Sequence, residues 1–444
     1  MNYHDNNEKP MRGRGLWKKV MQGKWIRVIL FLIFTSFLIL GNAQQRFPKP
    51  EFETGYEQPD PATPEPRVQA LEYFDVVLLL AVLSLATWLA LHKRSRRGIL
   101  WLSVFTLAYF GFYRNGCICP IGSIQNVTLT LFDPAYKISI TVLLFFLLPL
   151  VFALFFGRTF CAGACPLGAI QDLLIIKPVS VSPWVRKAVA FIPHVYLGLA
   201  VLFAATGTDF IICRYDPFVG IFRMDAPVTM ILLGAAFLGL GMIFARPYCR
   251  TFCPYGVLLG LMSRFSRRHL SITPSECIQC KLCSDSCPFD AIEAPTDEKI
   301  RTPGLVKQSM KRYVLIGLLL PVFVVAGGWM VSRSHVMLSR AHQDVHLAEL
   351  LISSPDLKND TENLDIQAFL ESGQSMEQLV EEASLIRSRF QRGTWILGGY
   401  LGLVLGIMLM NQYLIRKKED YTPHKGDCFS CGRCMDYCPV EKPY

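Results

Sequence analysis

Apolar positions along the 444-residue chain are gathered into blocks rather than spread evenly. Eight blocks stand out, at 25–41, 73–91, 98–113, 138–156, 187–206, 228–245, 313–331 and 394–414. The third is the shortest. Each is close to the ~20 residues that cross a ~30 Å hydrocarbon core as a helix. The pattern predicts an α-helical integral membrane protein of about eight transmembrane helices. Between blocks seven and eight, the runs from Ser334 to Leu351 and from Leu364 to Phe390 repeat apolar residues at spacings of three and four, which predicts two further helices.

Charge orients these elements. Lys9, Arg12, Arg14, Lys18, Lys19 and Lys24 precede the first block, and basic residues recur at 93–97, 264–268, 307–312 and 416–418. The segments 42–72 and 332–393 are acidic instead. Lys and Arg mark the cytoplasmic side, so a multi-pass protein of the cytoplasmic (inner) membrane is expected, with both termini cytoplasmic. The first block also fits a cleaved signal peptide, with Gly41-Asn42-Ala43 as a small-residue cleavage site. The remaining topology is the same either way. The net charge of +10 follows from these membrane flanks, so nucleic acid is not an expected partner.

Fifteen cysteines set the chemistry. Twelve fall on the side read as cytoplasmic, where disulfides are rare and metal binding is the better reading. Two runs follow the spacing C-x2-C-x2-C-x3-C-P of bacterial ferredoxins: Cys277, Cys280, Cys283, Cys287 with Pro288, and Cys428, Cys431, Cys434, Cys438 with Pro439. Three close thiolates wrap one cube of iron and sulfide, and the fourth ligates the other cluster in two-cluster ferredoxins. One [4Fe–4S] cluster is then expected on Cys277, Cys280, Cys283 and Cys438, and a second on Cys428, Cys431, Cys434 and Cys287. This crossed scheme requires segments 263–312 and 415–444 to fold together as a small α+β module. The alternative is one cluster per run, unaided. Zinc sites of four cysteines use two knuckles split by a longer loop, and fit poorly.

The membrane core, 98–262, carries a repeat. Gly157-Arg-Thr-Phe-Cys161-Ala-Gly-Ala-Cys165-Pro-Leu-Gly168 returns 88 positions later as Ala245-Arg-Pro-Tyr-Cys249-Arg-Thr-Phe-Cys253-Pro-Tyr-Gly256. Copies related by an axis along the membrane normal place a site at their interface. Cys161, Cys165, Cys249 and Cys253 then supply a complete thiolate set for a third [4Fe–4S] cluster. The bland reading is small cysteines packed between helices.

A looser echo joins Cys119-Pro120-Ile-Gly122 to Cys213 and Asp216-Pro217-Phe-Val-Gly220 in loops read as extracytoplasmic. Cys117, Cys119 and Cys213 are one short of a full set. They fit an outer cluster with Asp216 or Asp209 as fourth ligand, a disulfide on an oxidising face, or inert thiols. His342 and His346 share a helix face, with His335 upstream, and fit a metal pair or simply a polar face. His194, in a membrane helix, could contact a quinone. The segment 332–393 reads as a lid or docking surface, and 25–97 as a helix pair behind a basic tail, 1–24. No dinucleotide fingerprint, P-loop or haem-attachment motif is present, and no covalent-flavin motif, so no covalent flavin is expected.

The pair of CxxxCP motifs, the stretch Arg158-Thr-Phe-Cys-Ala-Gly-Ala-Cys-Pro-Leu-Gly-Ala-Ile-Gln171, Tyr248-Cys-Arg-Thr-Phe-Cys-Pro-Tyr-Gly256, the segment Asn115 to Gln125 and the ferredoxin runs resemble the NosR/NirI group of membrane polyferredoxins, with NapH- and CcoG-type proteins more distant. The likeness covers roughly 98–300 and the C-terminal tail. It implies transmembrane electron transfer between a cytoplasmic donor or quinol and an extracytoplasmic redox protein, a flavoprotein being one option. A CcoG-type reductase or assembly factor, or a quinol-oxidising subunit, is the alternative. The chain departs from the NosR pattern twice: 42–72 is too short for a flavin-binding domain, and Cys117, Cys119 and Cys213 are additional.

Overall fold

The computed structural model describes residues 68–116, 120–176, 178–179, 181–224, 226–272, 277–296, 303–353, 366, 369–370, 374–413 and 418–440. The block at 25–41 and the residues Cys117 and Cys119 lie outside the described residues.

The apolar blocks within that range are helical. Block two forms α1, Gln69–Leu91. Block three forms α2, Arg96–Thr106, which widens into π-helical turns over Leu107–Tyr113. Pro120–Phe132 is α3 and Ile140–Phe156 is α4. The CxxxCP segment leads into α5, Pro166–Leu173. Block five is α6, Ile192–Ala205, entered through a shorter helix at Pro183–Val189. Pro217–Arg223, α7, and Val228–Gly241, α8, are bent by 107° at the break between them. The second CxxxCP segment opens α9, Pro254–Arg264. Blocks seven and eight lie in α10, Pro303–Ser332, and α12, Met376–Gln412, with α11, Gln343–Ser353, between them.

Among the described residues, four helices are long and apolar enough to cross a membrane: Gln69–Leu91, Trp184–Ala205, Gln308–Ser332 and Met376–Gln412. Counting the bent α7–α8 pair as one span gives five, and α4 is a shorter apolar helix. Of the seven expected blocks within the described residues, four therefore become helices of that length and one belongs to the bent pair. The core blocks are interrupted, and each interruption falls beside a cysteine motif or a loop that folds back into the bundle.

Two packing regions result. Helices α1 to α9 share one core, centred on Leu83, Ala86, Ile99, Phe110, Phe218 and Tyr255. The α10–α12 pair stands beside it, joined along a seam of glycines. A Cβ on Gly398 would lie 2.2 Å from the Gly327 carbonyl oxygen, and one on Gly402 2.0 Å from that of Phe323. Small residues let membrane helices approach at the backbone. A satellite core of Val345, Leu351, Leu379 and Phe390 holds α11 on the polar half of α12, which begins at a capping box of Ser375 and Gln378.

The ferredoxin runs meet across 129 positions. Ile292–Glu293, β1, pairs antiparallel with Thr422–Pro423, β2, with Ile292 opposite Pro423. The His424 amide donates to the Ala291 carbonyl at 2.7 Å.

Candidate cofactor sites

Both ferredoxin runs adopt the same backbone. Gln279 and Lys281 have positive φ (52° and 62°), and Ser430 and Gly432 repeat this at equivalent positions (52° and 74°). In each run the left-handed residues flank the second cysteine and precede one turn of helix, Leu282–Asp285 or Arg433–Asp436. Left-handed residues alternating with right-handed ones turn successive N–H groups inward, a nest that binds anions and iron–sulfur groups. Three of these four are not glycine, so their strain needs a compensating ligand or contact.

One cavity is lined by Cys287 together with Cys428, Cys431 and Cys434. This is the crossed set expected for the second cluster. Cys434 also lies within electrostatic reach of all three. Burial pushes the Cys428 thiol up to about 12 and raises those of Cys434 and Cys287, so iron binding there must displace protons. Cys277, Cys280 and Cys283 gather around Tyr421. Cys438 is half-buried just beyond Arg433–Asp436, a helix that packs on Leu282–Asp285.

The CxxxCP motifs repeat in three dimensions. In each, a wide turn closes from the second cysteine onto an aromatic residue five positions back: the Cys165 amide donates to the Phe160 carbonyl, and the Cys253 amide to that of Tyr248, both at 3.0 Å. Cys165 and Cys253 precede the first residue of α5 and α9, with Pro166 and Pro254 at the first helical position, which proline favours. The copies then exchange arginines. Arg246 of the second donates to the Cys161 carbonyl of the first, and its Nη1 would be 3.1 Å from a Cβ on Gly168. Arg158 of the first stands 3.3 Å from where a Cβ on Gly256 would be. Cys-Pro-x-Gly is thus a helix start whose glycine admits the partner's guanidinium. Cys253 lies within electrostatic reach of Cys249, Cys165 and Cys161, so the four thiols share one site.

The charge around that site fits an anionic group. Asp172 forms ion pairs with Arg96, Arg246 (3.5 Å) and Arg433 (3.3 Å). Burial raises the Asp172 carboxyl, but Arg246, Arg96 and Arg433 outweigh it and hold it well below the usual range. One carboxylate thus serves three guanidiniums, and Arg158 adds a fourth cation. The Nε atoms of Arg158 and Arg246 are buried without a partner. Unpaired buried cations and donors are costly, and thiolate-held iron–sulfide would offset both. No three His, Cys, Asp or Glu side chains among the described residues converge as they would on a single ion. Four cysteines lining one cavity are the donor set of a [4Fe–4S] cluster.

The two regions touch. Phe429 lies under both Arg158 (4.3 Å) and Arg246 (5.5 Å), and Phe289 packs on Phe429 at 4.7 Å. These rings form one apolar cluster with Cys161 and Cys249 of the membrane motifs and Cys287, Cys428 and Cys431 of the ferredoxin runs. The Arg158 guanidinium donates to the Gly426 carbonyl at 3.0 Å, and Arg96 to that of Cys431 at 3.3 Å. The arginines and phenylalanines escaped attention in the sequence, although an arginine stands three residues before the first cysteine of each motif.

At the other candidate site, Cys213 is exposed on the short helix Ile211–Tyr215. Both carboxylates considered as a fourth ligand have other partners. Asp209 pairs with Arg214 at 2.8 Å. Asp216 caps α7 through the Phe218 amide and accepts from the Tyr248 hydroxyl at 3.1 Å. That last bond ties the loop to the CxxxCP motif directly. The Tyr196 hydroxyl is within electrostatic reach of both Cys213 and Cys253. One tyrosine hydroxyl thus lies within electrostatic reach of a cysteine from each region.

His194 packs on Tyr400 at 6.4 Å with its Nδ1 toward the Ala190 carbonyl. His342 faces Asp344, and His335 the Ser332 carbonyl. The His346 amide donates to the His342 carbonyl at 3.0 Å, and among the described residues no group of three or more His, Cys, Asp or Glu side chains is placed to hold a metal ion.

The fold and its cysteines define a helical membrane protein with 4Fe–4S binding sites. One 4Fe–4S binding domain model matches residues 138–188 and 226–273, and a second matches 270–293. The chain is similar to the uncharacterized protein MJ0750 of Methanocaldococcus jannaschii, 27% identical over 41% of this chain and 77% of that protein. It is similar to the regulatory protein NosR of Pseudomonas aeruginosa, 28% identical over 49% of this chain and 33% of NosR. It is also similar to NirI of Paracoccus denitrificans, 26% identical over 45% of this chain and 32% of NirI. These matches support a NosR/NirI-like 4Fe–4S membrane family for the chain, which spans about a third of the length of NosR and NirI. No solved structure matches it.

Proposed function

We propose that the protein conducts electrons across the cytoplasmic membrane through a series of iron–sulfur sites. A [4Fe–4S] group supplies one-electron redox chemistry when bound. The observation that carries the reading is the shared apolar cluster around Phe289 and Phe429, which joins the cavity of Cys287, Cys428, Cys431 and Cys434 to Cys161 and Cys249. Phe429 excludes water between the two thiol groups. Arg158 and Arg246 supply buried positive charge to both, and Asp172 fixes the guanidiniums that bridge them.

In this reading Cys277, Cys280, Cys283 and Cys438 hold one cluster, Cys428, Cys431, Cys434 and Cys287 a second, and Cys161, Cys165, Cys249 and Cys253 a third. Cys117, Cys119 and Cys213 serve an outer redox site. The ferredoxin runs lie on the cytoplasmic side with both termini, the apolar blocks make eight crossings, and 332–393 meets an extracytoplasmic redox partner. Tyr196 and the Tyr248–Asp216 bond shorten the path between the inner and outer cysteines.

The test is electron transfer in sealed proteoliposomes, with a membrane-impermeant reductant outside and an impermeant acceptor trapped inside. Acceptor reduction that depends on the protein and is lost in Cys249→Ser supports conduction. Reduction only of acceptors on the reductant's own side would instead support a one-sided reductase of the CcoG type.

A further inference from the structure

Two glutamines occupy matching places in the core. Gln171 lies six residues after Cys165, and Gln125 six residues after Cys119. The Gln171 carboxamide has three partners, one of them the Leu167 carbonyl, to which its nitrogen donates at 3.0 Å. Its oxygen accepts from the Tyr248 amide at 3.2 Å, and its nitrogen donates to the Cys249 sulfur at 3.3 Å. The Tyr248 amide and the Leu167 carbonyl thus hold the carboxamide in place, with its nitrogen also toward the thiol of the residue after Tyr248.

Gln125 repeats the first half of this arrangement. Its oxygen accepts from the Ile212 amide at 3.1 Å, one residue before Cys213. The residue is fully buried (0% exposed), and its Nε2 has no partner among the described residues. Gly122 lies one turn earlier on the same helix face. The Cys213 sulfur is 3.1 Å from where a Cβ on Gly122 would be, so thiol and carboxamide line one side of α3. A buried donor left without an acceptor costs free energy. Its presence here is accounted for if an acceptor comes from outside the polypeptide.

We propose that Cys213 and Gln125 form one wall of a second iron–sulfur site, pseudo-symmetric with the CxxxCP site. The Cys213 thiolate holds iron, and Gln125 Nε2 donates a hydrogen bond to sulfur there, as Gln171 does to Cys249. Gln125 is a positioning and tuning residue. Hydrogen bonds to cluster sulfurs help set the reduction potential, and a donor stabilises the more negative, reduced state. The inference rests on the reading of the chain as an iron–sulfur electron carrier and adds the outer wall and its donor.

The experiment compares anaerobically purified full-length protein with Cys213→Ser, Gln125→Leu and, as the inner counterpart, Gln171→Leu. Iron and acid-labile sulfide are counted per chain, and redox titrations are followed by electron paramagnetic resonance. Cys213→Ser is expected to lose one signal with its share of iron and to keep the rest. Gln125→Leu is expected to retain that iron and move the same signal, and only it, to lower potential. Gln171→Leu should move a different signal. If Gln125→Leu does not fold, Gln125→Glu keeps the acceptor for the Ile212 amide and removes the donor. Full iron and every signal in Cys213→Ser would overturn the outer site while leaving the inner clusters intact. A signal lost in Cys213→Ser but unmoved in both Gln125 variants would overturn the role of Gln125. A parent protein with no iron would instead remove the electron-carrier reading itself.

Discussion

At the inner site, Cys165-Pro166-Leu167-Gly168 opens a helix whose glycine faces Arg246 and the Cys161 carbonyl. At the outer site, Pro120-Ile121-Gly122 opens a helix whose glycine faces the Cys213 sulfur. Both helices open on Pro-x-Gly, but the buried charge nearby differs. The inner cysteines are backed by Arg158 and Arg246, with Asp172 shared among three guanidiniums. Near Cys213 the buried ionisable group is Asp216, capping α7 and bonded to Tyr248. Net charge and hydrogen bonding tune cluster potentials. In the proposed reading, two redox centres in such different electrostatic settings differ in potential.

The largest expected effect comes from the buried charge that separates the two environments. Asp172→Ala leaves Arg96, Arg246 and Arg433 without their carboxylate. Removing one partner of a buried ion pair costs about 3–5 kcal/mol. A large drop in thermal unfolding midpoint in detergent is expected, together with loss of the C-terminal run's cluster signal. An unchanged midpoint would mean that Asp172 does not anchor that run to the core.

The glycines sharpen the comparison at a smaller scale. Overpacking a close-packed interior costs about 1–3 kcal/mol. Gly168→Val and Gly256→Val should each fall in this range and resemble one another, because each meets the other copy's arginine. Gly122→Val should disturb only the signal that depends on Cys213. Unequal effects at Gly168 and Gly256, with one neutral, would break the two-fold exchange.

Charge neutralisation gives a spectroscopic readout. Arg158→Gln removes a cation beside the membrane cysteines and Phe429, so the inner-site signal should move to lower potential while the Cys213-dependent signal stays. Equal movement of both signals would mean that the sites do not have separate electrostatic settings.

The smallest effect is a null one with a definite sign. The Asp172 carboxyl is held below its ordinary value. Its stabilising contribution is therefore complete above the unfolded value of about 3.9 and is lost only as pH falls through the lower folded value. Between about pH 5 and 8, the stability difference between the parent and Asp172→Ala should stay constant. A difference that grows from pH 8 toward pH 5 would mean that the folded carboxyl is raised rather than lowered.

Much of this was legible in the residues, for identifiable reasons. Cysteine spacing encodes local ligand geometry, so the crossed set of Cys287 with Cys428, Cys431 and Cys434 could be read before the cavity that unites them was seen. The 88-position repeat likewise pointed to a cysteine site between its two copies, but not to the arginines that the copies exchange. Hydropathy was less informative about the core. It sees apolar content but not breaks, so α2, α4 and the bent α7–α8 pair read as ordinary spans. The loops carrying Asp216 and Cys213 read as surface, while the Asp216–Tyr248 bond folds one of them back toward the CxxxCP motif. Gln125 and Gln171 gave only a weak signal, six residues after a Cys-Pro in both cases, and their use depends on which backbone amide each carboxamide meets.

The central claim is that thiols from two copies of one motif, within the membrane core, hold an iron–sulfur group next to the ferredoxin-type pair. The most direct test is iron and acid-labile sulfide per chain in anaerobically purified parent and in the Cys161→Ser/Cys249→Ser double variant. The account predicts that the variant loses about four irons and about four sulfides, the content of one cube of the kind held by four cysteines, and retains the ferredoxin-type signals. Equal iron and sulfide in the two proteins would contradict it.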